Sequence, residues 1–181
     1  MHGNDSQRYS APVRAIHWLT AALVFAMIGL GVTMEELEKG DPLRSQLFML
    51  HMSTGVLIVM LTLLRLGWLA VSPGPALPAA LAGWERALAR LVKWLLYLGL
   101  FAVPVAGYLI AASDGRPVPF YGLFEIPPLV AENHDLHELM EEVHEVLAWT
   151  LLALVGLHVA GALKHRFLDR NPEVDVLRRM L

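Results

Sequence analysis

Four stretches of the chain carry no Asp, Glu, Lys or Arg and are long enough to cross a bilayer: Ala15 to Met34, Ser45 to Leu64, Trp94 to Ser113, and Val146 to Leu163. A spanning helix rises 1.5 Å per residue and needs roughly 20 mostly apolar residues. Each stretch therefore makes one passage, and with flanking turns the expected spans are about residues 15–34, 45–71, 88–113 and 143–165. A backbone inside lipid has no water to bond, so these passages are helical. The expected fold class is all-α: an integral membrane four-helix bundle, one domain over residues 1–181.

Composition supports the division. The chain is 56% apolar and only 17% charged, against roughly 45–50% and 25% in soluble domains. The connections are visible too. Glu35 to Asp41 is acidic with Gly40 inside it and Pro42 behind it, and SPGPALP from Ser72 to Pro78 cannot continue a helix. The segment Asp114 to Asn133 holds Gly115, Pro117, Pro119, Gly122, Pro127 and Pro128 and reads as a loop. After it HDLHELMEEVHE forms an amphipathic helical lead into the fourth span, with Asn133 as its cap. The tail from Arg166 is read as a short surface helix. The first span follows Arg8 and Arg14 as a signal peptide would, but it lacks a small-residue cleavage site and is read as mature structure.

Charge sets the orientation. With both termini inside, the inner segments carry Arg8, Arg14, Arg65, Arg86, Arg90, Lys93, Lys164, Arg166, Arg170, Arg178 and Arg179, and the outer loops only Lys39, Arg44 and Arg116. Eleven against three places both termini on the inner, cytoplasmic side. The outer side is acidic, with Glu35, Glu36, Glu38, Asp41, Asp114, Glu125, Glu132, Asp135, Glu138, Glu141, Glu142 and Glu145. A net charge of −3 leaves no basic footprint for nucleic acid. The absence of Cys excludes disulfides, thiolate metal sites, iron–sulfur clusters and cysteine nucleophiles, so any redox chemistry must ride on His ligands.

Ligand-competent groups inside apolar spans are expensive to bury and mark functional sites. His17 opens span one on the inner side, His51 lies near the outer start of span two, and His144 and His158 bracket span four. The 14 residues between His144 and His158 return both to one helix face, roughly 21 Å apart along the axis. The four thus fall into two pairs at two depths, the arrangement for two six-coordinate haems in a four-helix core. Histidines satisfied by backbone carbonyls are the bland alternative. Gly29, Gly31, Gly55, Gly107, Gly156 and Gly161 lie within spans and suit either a close-lying flat macrocycle or helix packing. Pro104 is expected to kink span three.

Arg65 follows His51 by 14 residues and lies at the inner haem level, either as a propionate partner or as a snorkelling anchor. His165, two turns beyond His158, is a candidate quinone contact or a solvated interfacial histidine beside Lys164 and Arg166. His134 and His137 read as part of a solvated amphipathic face better than as metal ligands. His2 is read as a terminal residue without a role.

IHWL around His17, HMSTG from His51 with the later Arg65, VPVAGY in span three, VHEVLA around His144 and GLHVAGALKH closing span four resemble the prokaryotic cytochrome b561 family, small four-helix dihaem proteins that include superoxide oxidase. The resemblance covers most of the chain. It implies two non-covalent haems b, the inner held by His17 and His158 and the outer by His51 and His144, with His165 a candidate for the quinone contact. In the superoxide oxidase branch it implies electron transfer from superoxide at the outer face to ubiquinone, a superoxide:ubiquinone oxidoreductase. The carboxylate-rich outer face instead suits a cationic periplasmic donor or partner subunit. Two further readings remain open: a haem-binding membrane anchor of a larger dehydrogenase or hydrogenase, and a haem-free proton or metal transporter using the same histidines.

Overall fold

The computed structural model describes residues 8–181, and His2 lies outside the described residues. Helix α1 spans Ala11–Glu36, α2 Pro42–Val71, α3 Gly83–Ser113 and α4 His134–Leu163. At 26 to 31 residues each they measure about 39 to 47 Å, longer than the roughly 30 Å hydrocarbon core. All four are apolar enough to cross a membrane.

Each helix starts before its expected span, and in α2, α3 and α4 a polar side chain caps the first turn. Asp41 accepts a hydrogen bond from the Leu43 amide at 2.8 Å, with Pro42 in the first helical turn. Glu85 reaches back to the Ala82 amide at 3.1 Å. Asn133 accepts from the Leu136 amide at 3.0 Å, the cap expected from sequence. Helix α3 runs unbroken through Pro104.

The bundle is packed as α1 on α2, α2 on α3 and α3 on α4. Large side chains such as Leu63, Leu98, Val105 and Trp149 point outward, as a lipid-facing surface requires. Buried hydroxyls inside the spans are satisfied locally: Thr20 donates to the Ile16 carbonyl at 2.8 Å and Thr62 to the Ile58 carbonyl at 2.7 Å.

Two segments differ from the sequence reading. The connection after α3 contains an antiparallel hairpin, β1 Val118–Phe120 and β2 Phe124–Ile126, where only a loop is expected. Its turn places Tyr121 and Gly122 at φ of 49° and 73°, the left-handed values a tight hairpin turn demands. Tyr121 tolerates this because three contacts hold it: its amide donates to Ser53 Oγ at 3.0 Å, its hydroxyl lies 2.9 Å from Thr54 Oγ1, and Ser53 Oγ donates to the Pro119 carbonyl at 3.0 Å. The tail is not a surface helix. Helix α4 ends in a π-helical turn, Lys164–Leu168, followed by short 3₁₀ turns at Pro172–Val174 and Leu177–Arg179. Pro172 and the turn-forming Asn171, whose side chain accepts from the Glu173 amide at 3.0 Å, stop a longer helix.

The tail closes one end of the bundle. The Tyr9 amide donates to the Arg179 carbonyl at 3.1 Å, Trp18 Nε1 to the Met180 carbonyl at 2.7 Å, and Arg14 to the Leu181 carbonyl. Arg179 reaches the Ala76 carbonyl in the α2–α3 connection at 2.5 Å. Both ends of the described chain and that connection therefore share one end of the bundle, and the hairpin covers the other.

Candidate functional site

Helix α4 has no buried residue and packs along α3, yet its histidines face α1 and α2. His158 and His17 have ring centres 6.2 Å apart, and His144 and His51 likewise 6.2 Å apart. The two expected pairs are the pairs the fold brings together. An imidazole on each side of one metal, with metal–nitrogen bonds of about 2 Å and about 1.1 Å from nitrogen to ring centre, separates the ring centres by about 6 Å. The spacing fits a bis-imidazole iron at both levels.

At the outer level the rings are set by neutral contacts. His144 Nδ1 donates to the Val103 carbonyl at 3.0 Å, which leaves the Nε2 lone pair for a metal. A Cβ on Gly107 would stand 3.1 Å from His144 Cε1 and 3.3 Å from Nδ1, so only glycine lets the ring lie there unshifted. A Cβ on Gly31 would meet His51 Cε1 at 3.8 Å. His51 Nδ1 is buried with no hydrogen-bond partner. Gly29, Gly156 and Gly161 have no protein neighbour that demands their smallness.

The inner level is charged. Arg65 Nη1 lies 3.1 Å from His17 Nδ1, and since a guanidinium only donates, the imidazole accepts. Arg65 Nε is buried without a partner, and the guanidinium sits 5.8 Å from the Tyr97 ring centre. Arg65 is thus at the level of His17, against its ring. Trp18 packs edge-on to His17 at 5.2 Å.

His165 sits in the π turn, its Nδ1 2.6 Å from Asp169 Oδ2. With Glu85 these groups gather their ligand atoms within 4.8 Å, the one such cluster among the described residues. Lys164 occupies it, 2.7 Å from Glu85 and 3.3 Å from Asp169, and supplies the positive charge a metal would otherwise bring. His165 and Lys164 together hold the Asp169 carboxyl below its ordinary range. The bond between Glu85 and Lys164 joins residues 79 apart, and no local signal in the sequence announces it.

On the hairpin side His134 is solvated as expected and pairs with Glu138 at 3.2 Å, whereas His137 is largely buried, against the Ile110 carbonyl at 3.1 Å, Asp114 at 3.0 Å and Glu141 at 3.2 Å. Arg116 is neutralised by Asp114 at 2.7 Å.

A profile of the prokaryotic cytochrome b561 family matches residues 8–181. The chain belongs to that family. Among curated relatives, "Cytochrome b561 homolog 2" of Escherichia coli (strain K12) is 35% identical, over 98% of this chain and 93% of that protein. "Cytochrome b561 homolog 1" of the same organism is 26% identical, over 96% of this chain and 97% of its own. A "Probable superoxide oxidase CybB" of Yersinia pestis is 28% identical, over 97% and 96% of the two chains. The protein is therefore a multi-pass membrane cytochrome of the b type, a four-helix bundle that carries out membrane electron transfer.

Proposed function

We propose that the chain relays electrons across the bilayer from a donor on the outer face to ubiquinone, with His51 and His144 holding one haem b and His17 and His158 a second. The observation that carries this is the pair of 6.2 Å imidazole–imidazole separations, each bridging α4 to a helix it does not pack on. Haem supplies the one-electron couple that a chain without cysteine lacks.

The remaining roles belong to the polypeptide. With both imidazoles of a pair given to the iron, a haem held there would pass electrons and not activate dioxygen. The Val103 carbonyl fixes the His144 tautomer, and the hairpin, clamped to Ser53 and Thr54, covers the outer end near His51. Ligation through Nε2 of His17 requires its proton on Nδ1, which releases Arg65 to bind a propionate. Asp169 accepts a hydrogen bond from His165 Nδ1, and Nε2, when the ring is protonated, donates to a quinone carbonyl. The excess of basic residues at the end carrying both termini supports a bacterial inner membrane location with cytoplasmic termini. Alkaline phosphatase activity from a fusion after Leu181 would contradict that orientation.

The name of the Yersinia pestis relative supports superoxide as donor, two molecules giving two dioxygen and one ubiquinol with two protons taken up. The acidic face, with Arg116 neutralised by Asp114, supports a second reading: a cationic periplasmic protein or a partner subunit for which this chain is the haem-bearing anchor. Stopped-flow haem reduction across a salt series separates them. A cationic protein donor slows as salt rises, and slows at low salt when Glu138, Glu141 and Glu142 become Gln. Superoxide reduction is unchanged or faster under both treatments. Failure of both donors to yield ubiquinol would overturn the relay.

A further inference from the structure

A cleft of about 670 Å³ opens at the end of the bundle that carries both termini, away from the four paired histidines. Arg86, Arg90 and Lys93 line it from α3, and Tyr9 and the segment 75–77 form its opposite wall. The three basic residues stand at i, i+4 and i+7, one face of the helix. Among the described residues none of them has a carboxylate within 4 Å. Glu85, next in sequence to Arg86, is taken by Lys164 on the adjoining face at 2.7 Å. The cleft thus concentrates three uncompensated positive charges.

Its opposite wall is held in place. The Tyr9 ring lies against Gly74 so closely that a Cβ there would stand 2.0 Å from Cε1, and the Tyr9 amide is bonded to the Arg179 carbonyl at 3.1 Å. Arg179 in turn holds the Ala76 carbonyl at 2.5 Å. Trp84 and Trp94 flank the basic row and are 66% and 61% exposed. Exposed tryptophans near the ends of a spanning helix sit at headgroup level. A cleft at that level lies beside the phosphodiesters of the headgroup layer.

We propose that this cleft binds the headgroup of an anionic phospholipid, its phosphate held by Arg86, Arg90 and Lys93. Positive charge spread along an inner membrane edge serves orientation wherever it lies. A walled cleft with three cations on one helix face adds a defined position, and that is what the test must isolate.

The full-length protein in neutral detergent is titrated with phosphatidylglycerol, phosphatidylcholine or inorganic phosphate, and binding is read by native mass spectrometry. Phosphatidylglycerol is expected to bind at one saturable site, with the choline lipid and free phosphate far weaker. Arg90→Gln with Lys93→Gln is expected to weaken it roughly 25-fold, about fivefold for each charge removed. Arg170→Gln with Arg178→Gln, which removes as much charge at the same end, is expected to leave it unchanged. The swap Arg90→Lys with Lys93→Arg keeps the charge and is expected to retain binding, which guards against a loss caused by misfolding. Equal weakening in both charge-removal pairs, equal binding of the choline lipid, or equal binding of free phosphate would each overturn the proposal.

Discussion

The two histidine pairs share one spacing and differ in what surrounds them. At the outer level His144 is aimed by a backbone carbonyl, Gly107 admits its ring, His51 has no partner on Nδ1, and a hairpin clamped to Ser53 and Thr54 closes the end. At the inner level a guanidinium lies on His17, His158 is exposed, and the lid is a tail held by backbone carbonyls. One level is fixed by shape and the other is governed by charge. A cation beside His17 would favour the reduced state of a haem held there, so on the proposed ligation the difference favours electron flow from the outer pair to the inner, the direction proposed for delivery to quinone.

The largest effect that would break the comparison is loss of a ligand. His51→Ala and His144→Ala are each expected to remove the same haem and leave the other, and His17→Ala and His158→Ala to remove the second. Haem per chain and the low-temperature reduced spectrum of each variant check this. Loss of both haems on every substitution would mean that the two levels are not separate sites.

Next comes Arg65→Gln. One charge within about 7 Å at an effective dielectric near 20 is worth on the order of 100 mV, so the inner couple is expected to fall by that order while the outer stays. Redox titration of the two components reads it. Equal shifts in both, or none, would remove charge as the feature that distinguishes the inner level.

The smallest is Gly107→Ala. Its Cβ would press on His144 at 3.1 Å, which a few tenths of an ångström of ring movement relieves. A several-fold weaker retention of the outer haem and an altered electron paramagnetic resonance signal for that haem alone are expected, with the inner signal unmoved.

The pairing of the four histidines was legible because helical period and membrane depth are both carried by sequence. His144 and His158 stand four full turns apart on one face, and the charge-free stretches set the levels of His17 and His51. The Asn133 cap was legible for the same local reason. The hairpin was not: three-residue strands carry no periodic signal, and a Tyr at positive φ is stable only through Ser53 and Thr54, more than 60 residues away. The depth of Arg65 was readable from its spacing, but its partner lies 48 residues earlier on another helix. The Glu85–Lys164 pair and the Arg179 strap are long-range in the same way, decided by how helix ends meet.

The most direct measurement is pyridine-haemochrome quantification on the purified full-length protein, with the chain concentration fixed by amino-acid analysis. Two haems b per chain are expected. A stoichiometry of one haem per chain would contradict the paired-histidine arrangement, whatever the activity.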